Sequence, residues 1–297
     1  MTSSTRRSKK SRPWLWALIF ALNSCLVLGL WLGVIRPEQK RRDALEDSIA
    51  ETDEEKLARL LPDIRTMLRE GRLDEAQQMI AEESLPLTPE DLLAFRREDQ
   101  LTLLRESSYR PGDFLFFGFY EQDADLTNGP EPIEWQVIKA DDGELFLLSR
   151  RALAALPFES RDLQSCWSEC ELRSWLNRDF AADAFDEAAF SMILPTELVS
   201  VREEDAFYSC VDHLFLLSST EYLDLLRTDV YTIEIPPSAY ALSQKSDLSF
   251  WWHWTRDIYG EASRVYCFPC QHNTLVFNNE YSNRSLGIVP ACRITVK

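Results

Sequence analysis

The sequence predicts an α+β domain of short strands and two main helices, set behind a helical stalk and one membrane-crossing helix. Three observations predict it. Residues 14–35 run without a charge. Between 43 and 107 apolar residues recur at helical spacing, as in Leu57, Leu60, Leu61, Ile64 and Leu68. After Arg110-Pro111-Gly112-Asp113 the pattern changes to short apolar and aromatic runs, which read as strands interrupted by helices.

The 22 uncharged residues are long enough to cross a hydrocarbon core of ~30 Å as a helix. Trp14, Trp16 and Trp31 lie toward the ends, where interfacial aromatics belong. The run exceeds the ~7–15 apolar residues of a signal peptide and lacks small residues at a cleavage position, so it reads as an uncleaved signal anchor. Arg6, Arg7, Lys9, Lys10 and Arg12 precede it, against Arg36, Lys40, Arg41 and Arg42 after it. That balance places residues 1–13 in the cytoplasm as a basic tail. It makes the chain a single-pass protein of the cell membrane, with an extracytoplasmic C-terminal domain.

Residues 36–110 form the expected stalk. Met67, Leu68, Gly71, Leu73 and Ala76 resemble half of a tetratricopeptide-type hairpin, but one copy cannot build a solenoid. Thr88-Pro89-Glu90-Asp91 starts a further helix, with a hydroxyl cap, proline in the first turn and acids at the positive dipole end.

Residues 111–297 form the expected globular domain. Strands are expected at 114–120, 133–140 and 144–149, with Asp141-Asp142-Gly143 as a hairpin turn. Ser168-Glu169-Cys170-Glu171 has the spacing of a capping box, ahead of Leu172, Trp175 and Leu176 on one helical face. Asp183 is expected to cap a second helix. Later strands are expected at 213–217, 275–277, 287–289 and 292–296.

Charge and glycine content exclude some functions. The first 42 residues hold nine Lys/Arg and one acid, so the remainder carries 23 bases and 48 acids, a net of −25. Such a surface repels polyphosphate and argues against nucleic acid as a partner, whereas a cationic partner or Ca²⁺ would be compatible. Only 9 glycines occur, and neither phosphate-cradling glycine motif is present. The sequence therefore implies no cofactor and no assigned metal.

Trp167, Leu172, Arg173, Trp175-Leu176-Asn177 and Phe180 form W-x-x-x-x-L-R-x-W-L-N-x-x-F, with Phe185 following. This motif resembles the bacterial domain of unknown function six-two-seven-three family. Gly118, Pro132-Ile133-Glu134-Trp135-Gln136-Val137, Leu147-Leu148-Ser149, Leu216-Leu217-Ser218, Tyr240-Ala241 and Gly287-Ile288-Val289-Pro290-Ala291 extend the likeness over roughly 111–297. Cys170 stands where the family usually has Ser, and its late W-W-L-R-S element is replaced by Trp251-Trp252-His253-Trp254-Thr255-Arg256-Asp257. By analogy the arrangement is similar to the C-type-lectin-like fold of formylglycine-generating enzymes, although fold alone does not fix function.

Two sets of site residues follow. Trp251, Trp252, Trp254 and Arg256 offer stacking faces and a polar anchor for a ligand, while core packing is the alternative for each indole. Cys166, Cys170, Cys210, Cys267, Cys270 and Cys292 could form three disulfides, remain buried thiols, hold zinc through the Cys166/Cys170 and Cys267/Cys270 pairs, or do redox chemistry. Arg173 is expected to pair with an acid and Asn177 to bond backbone. His213, His253 and His272 lie in no catalytic motif, and no nucleophile elbow is present. The expected function is recognition of a glycan, a peptide or a surface protein. An enzyme using the cysteines, or a structural partner in a membrane complex, is the alternative.

Overall fold

The computed structural model describes residues 36, 38–41, 52–161, 166–203, 206–228, 234–244, 252–260, 263–269 and 277–297. The chain divides into two compact units, 1–86 and 87–297.

In the first unit, α1 (Asp53–Arg69) and α2 (Leu73–Glu82) form a hairpin. Thr52 caps α1, with its hydroxyl accepting from Glu55 N while the Glu55 carboxylate accepts from Thr52 N. Leu60, Ile64 and Leu68 form the buried stripe of α1, and Ala76 is buried on α2. Gly71 takes φ +75° at the turn, a conformation glycine adopts without a Cβ clash.

The second unit starts 24 residues before the expected boundary at 110/111, because α3 (Pro89–Glu106) belongs to it. The Thr88/Asp91 capping box starts this helix. Leu92, Leu101 and Leu104 are buried along it, and the helix packs on β1 (Phe114–Tyr120). Gln100 Oε1 accepts from the Gly118 backbone N–H at 2.8 Å. Gly118 has φ +76°, and a Cβ there would lie 2.5 Å from Phe185 Cε1.

Two five-stranded sheets follow. The first has the order β1, β2 (Glu131–Asp141), β3 (Glu144–Ser149), β12 (Ala291–Thr295), β7 (Leu214–Phe215). Asp142 and Gly143 both have positive φ in the β2–β3 turn, the conformation a tight hairpin needs. The second sheet has the order β10 (Asn278–Tyr281), β9 (Arg264–Pro269), β8 (Trp252–Ile258), β11 (Ser285–Ile288), β4 (Ala154–Pro157). Its β8–β11 contact is parallel, pairing Gly287 with His253. A separate hairpin joins β5 (Thr196–Glu203) and β6 (Ala206–Asp212).

Four expectations need correction. The domain is α+β, but its helices are several and short rather than two. After Cys170 come α4 (Glu171–Trp175), a π-helical turn (Leu176–Phe180) and α5 (Ala181–Ala184), then α6 (Glu187–Phe190), α7 (Ser219–Leu226) and α8 (Ala239–Ser243). No helix among the described residues is long and apolar enough to cross a membrane. The expected membrane-crossing helix is thus not among the described elements, and residues 14–35, where the sequence places it, lie outside the described ones. Cys170, not Ser168, caps α4, its sulfur accepting from Arg173 N at 3.4 Å, while the Ser168 hydroxyl lies 3.0 Å from Cys166 Sγ. Asp186 rather than Asp183 caps the helix that follows α5, accepting from Ala189 N at 2.8 Å.

Candidate functional site

The motif residues fasten the helical segment to the end of β6. Asp212 is the anchor. Its Oδ2 accepts from Trp167 Nε1 at 2.8 Å and its Oδ1 from Arg173 Nε at 2.8 Å. Arg173 also donates to the Ser168 carbonyl, and its pairing with Asp212 raises its pKa further. Asn177 sits two turns from the helix start and bonds on both sides. Its Oδ1 accepts from His213 N and Leu214 N, and its Nδ2 donates to Leu214 O. Leu172 and Leu176 point into the core, whereas Trp175 is half-buried against Phe180, with ring centroids at 5.6 Å.

The described cysteines, Cys166, Cys170, Cys210, Cys267 and Cys292, are free thiols, and Cys270 lies outside the described residues. Cys267 is on the second sheet and Cys292 on the first. Burial pushes Cys170 and Cys292 up, Cys210 up to about 11 and Cys267 up to about 12. Asp212 adds to the rise at Cys210. These environments oppose thiolate formation, which nucleophilic or redox chemistry requires.

The tryptophan strand is β8. Trp251 lies outside the described residues, and Trp252 is half-buried. Trp254 is fully buried, its ring 6.0 Å from Phe158 and its Nε1 donating to Leu156 O at 3.0 Å. Arg256 is buried too. Its Nη1 donates to Leu216 O and to the Glu221 carboxylate, and its Nη2 to Val199 O. Burial alone would raise Glu221, but the hydrogen bond and charge of Arg256 outweigh it and hold Glu221 below its ordinary value. Trp254 and Arg256 are thus structural and present no face to a ligand. Both sides of β8 are covered: Trp254 meets Phe158, and on the other side His253 packs between Tyr222 and Phe268. Burial lowers His253 to about 3, so it is a neutral core imidazole.

Exposed aromatic rings occur at Phe114 and Phe116 on β1 and, nearer the tryptophan strand, at the β10 edge of the second sheet. Tyr259, in the β8–β9 turn, is 43% exposed, and Tyr281 on β10 is 42% exposed. Between them stand the half-buried Tyr266 and Phe277. Tyr259 meets Tyr266 at 5.1 Å with the rings at 89°, Tyr266 meets Phe277 at 6.2 Å and 81°, and Phe277 leads inward to Phe268 at 5.4 Å. The Arg264 guanidinium lies 4.1 Å from the centre of the Tyr281 ring and donates to Asn279 Oδ1 at 2.6 Å. Cross-strand pairing of Tyr266 with Asn279 and of Arg264 with Tyr281 creates this juxtaposition.

A second exposed cluster was missed in the sequence. Glu121, Asp123 and Glu131 bring carboxylate oxygens within 4.8 Å of one another, the spacing of a divalent-cation site. Burial and the neighbouring acids raise Glu121 and Glu131, while the Asp125 N–H and the Asn128 amide lower Asp123. Their oxygens also accept from Gln122 N, Ala124 N and Asp125 N, so they fold the β1–β2 loop.

The family model described as Domain of unknown function (DUF6273) matches residues 142–296. The chain belongs to this family. The DUF6273 match begins in the β2–β3 turn and ends just after β12, so it contains the Asp212 fastener and the aromatic edge but not the β1–β2 acidic loop. The likeness read from Gly118 and the 132–137 strand lies before the matched DUF6273 segment. No curated protein matches the chain. No solved structure matches it either, so the expected C-type-lectin-like fold has no solved structure behind it.

Proposed function

We propose that this chain is a recognition module that holds its ligand against the aromatic edge formed by Tyr259, Tyr266, Phe277 and Tyr281. The observation that carries the reading is the exposure of Tyr259 and Tyr281 beside the polar groups of Arg264 and Asn279. Partly exposed rings lose little conformational freedom on binding and offer apolar faces, while a guanidinium and an amide orient polar groups of the ligand. The enzyme alternative has less support, because the buried cysteines resist ionisation and His253 is sealed in an aromatic pocket. Glycan and peptide arrays probed with the wild-type chain and with a Tyr259→Ala/Tyr281→Ala variant test the reading. Hits that disappear while the melting temperature stays within a degree or two support it. Hits that survive the double substitution place the ligand elsewhere.

A further inference from the structure

A cavity of about 490 Å³ opens along the side of α3, with Asp186 and Ala188 at the start of α6 as its other wall. The α3 residues that line it fall on one stripe, at helical spacings of three and four. From Glu90 to Arg105 that stripe runs about 22 Å along the helix. Its order is self-complementary. Arg97 and Glu98 stand on either side of the midpoint. Counting outward from there by equal steps, Ala94 matches Leu101, Leu93 matches Thr102, and Glu90 matches Arg105. Two bases and two acids cancel along this stripe, in a chain whose net charge is −17.

Helix formation accounts only for the ends of the pattern. Glu90 in the first turn and Arg105 in the last suit the helix dipole. The dipole does not call for Arg97 and Glu98 at the midpoint, nor for uncharged residues placed symmetrically between the charges. The charges are also available to a partner. Glu90 and Arg105 are exposed, and neither has an ion-pair partner among the described residues. Arg97 Nε has no hydrogen-bond partner among the described residues, and the Asp186 carboxylate stands 4.0 Å from it, beyond hydrogen-bond distance.

A two-fold axis is the operation that uses such a pattern, because it sets residue i of one copy on residue j of the other and j on i. We propose that the α3 stripe is the contact of a homodimer, with the helices of two copies antiparallel and the axis passing between Arg97 and Glu98. Glu90 of each copy then meets Arg105 of the other at the two ends, and Arg97 meets Glu98 twice at the centre. Ala94 is small and exposed, which lets the opposite helix approach. A parallel pairing would set each charge against its own kind. The register match, with every acid of the stripe opposite a base, names a second copy rather than a foreign helix as the occupant. A strip about 22 Å long and about 10 Å wide covers far less than the ~800 Å² that a standard interface takes from each partner, so the dimer is weak and reversible. This inference is independent of the aromatic edge.

Sedimentation equilibrium of the full chain tests this with charge reversals at the two exposed ends of the stripe. Glu90→Arg and Arg105→Glu are each expected to weaken the dimer about tenfold or more. Glu90→Arg also makes the chain less negative, so an association governed by overall charge would strengthen instead. An equimolar mixture of the two variants is expected to recover the wild-type affinity to within about threefold, since both end pairs are again opposite in charge. Losses from the helix dipole persist in the mixture, so the recovery cannot come from them. Ala94→Arg, exposed and away from both helix ends, is expected to abolish the dimer and keeps the test decisive if an end variant does not fold. A chain that stays monomeric up to about 1 mM overturns the proposal. A dimer that all three variants leave unchanged, or that Glu90→Arg strengthens, overturns it as well. Weakening by both reversals without recovery in the mixture overturns the antiparallel pairing.

Discussion

Replacing Asp212 with Ala removes the anchor that both Trp167 and Arg173 use. The Asp212 side chain is 2% exposed and the Arg173 side chain 27% exposed, so the pair is mostly desolvated on one side only. Removing one partner of a buried pair costs about 3–5 kcal/mol, because the other charge is left without compensation. Partial exposure of Arg173 lets water take up some of its lost interaction, which favours the lower end, about 3 kcal/mol. The stranded Trp167 N–H adds about 1 kcal/mol, since it has no water to replace the carboxylate. A total near 4 kcal/mol lowers Tm by roughly 8–16 °C in a unit of this size. The assay is urea denaturation of the wild type, Asp212→Ala, Arg173→Ala and the double variant. If the two residues act through their mutual bond, the double variant loses about 1–3 kcal/mol less than the sum of the singles. Strictly additive losses would refute the claim that the pair is one fastener.

Three further outcomes follow from the packing. Gly118→Ala places a Cβ 2.5 Å from Phe185 at a positive φ, and about 2–4 kcal/mol of stability is expected to be lost, as measured by chemical denaturation. Trp254→Ala is expected to cost about 3–5 kcal/mol, while Trp252→Ala, at a half-buried position, costs distinctly less; equal losses would show that β8 packs differently. Folding depresses the His253 pKa from an ordinary 6.5 to about 3, so its contribution is complete above pH 6.5 and declines as pH falls toward 3. Between pH 6.5 and 4.5 the wild type is therefore expected to lose about 2–3 kcal/mol more than His253→Phe, and parallel pH profiles would contradict this.

The features legible in the sequence are those decided by near neighbours in the chain. The Thr88/Asp91 capping box, the Asp142-Gly143 turn and strands β1 to β3 depend on contacts a few residues apart, and they stand where the sequence places them. The position of the α4 cap was misread because Ser168 and Cys170 both have local partners within reach. The outcome is set by Arg173, which is drawn by the distant Asp212 and takes the Ser168 carbonyl on its way. The β5–β6 hairpin and the four-residue β4 were not legible because pairing rather than local pattern defines them.

Trp254 and Arg256 of the tryptophan strand are taken into the core for a related reason. Three indoles in four residues argue for exposure only if one side of the strand faces water. Here Phe158 covers one side of β8 while Tyr222 and Phe268 cover the other. The aromatic edge is built from the exposed Tyr259 and Tyr281 and the half-buried Tyr266 and Phe277, which lie in separate stretches of the sequence and share no motif. Pairing of β9 with β8 and β10 assembles them. The motif residues around Trp167 show the opposite arrangement. Trp167, Arg173 and Asn177 direct their hydrogen bonds to Asp212 and to the backbone at 168, 211, 213 and 214, leaving those groups committed to the fold. A side chain whose polar atoms are all engaged inward cannot discriminate between ligands, however distinctive its sequence pattern. The motif therefore specifies how the helical segment is attached to β6. Under the recognition reading proposed above, specificity would come from side chains outside this framework, and Tyr259, exposed just after β8, is one of them.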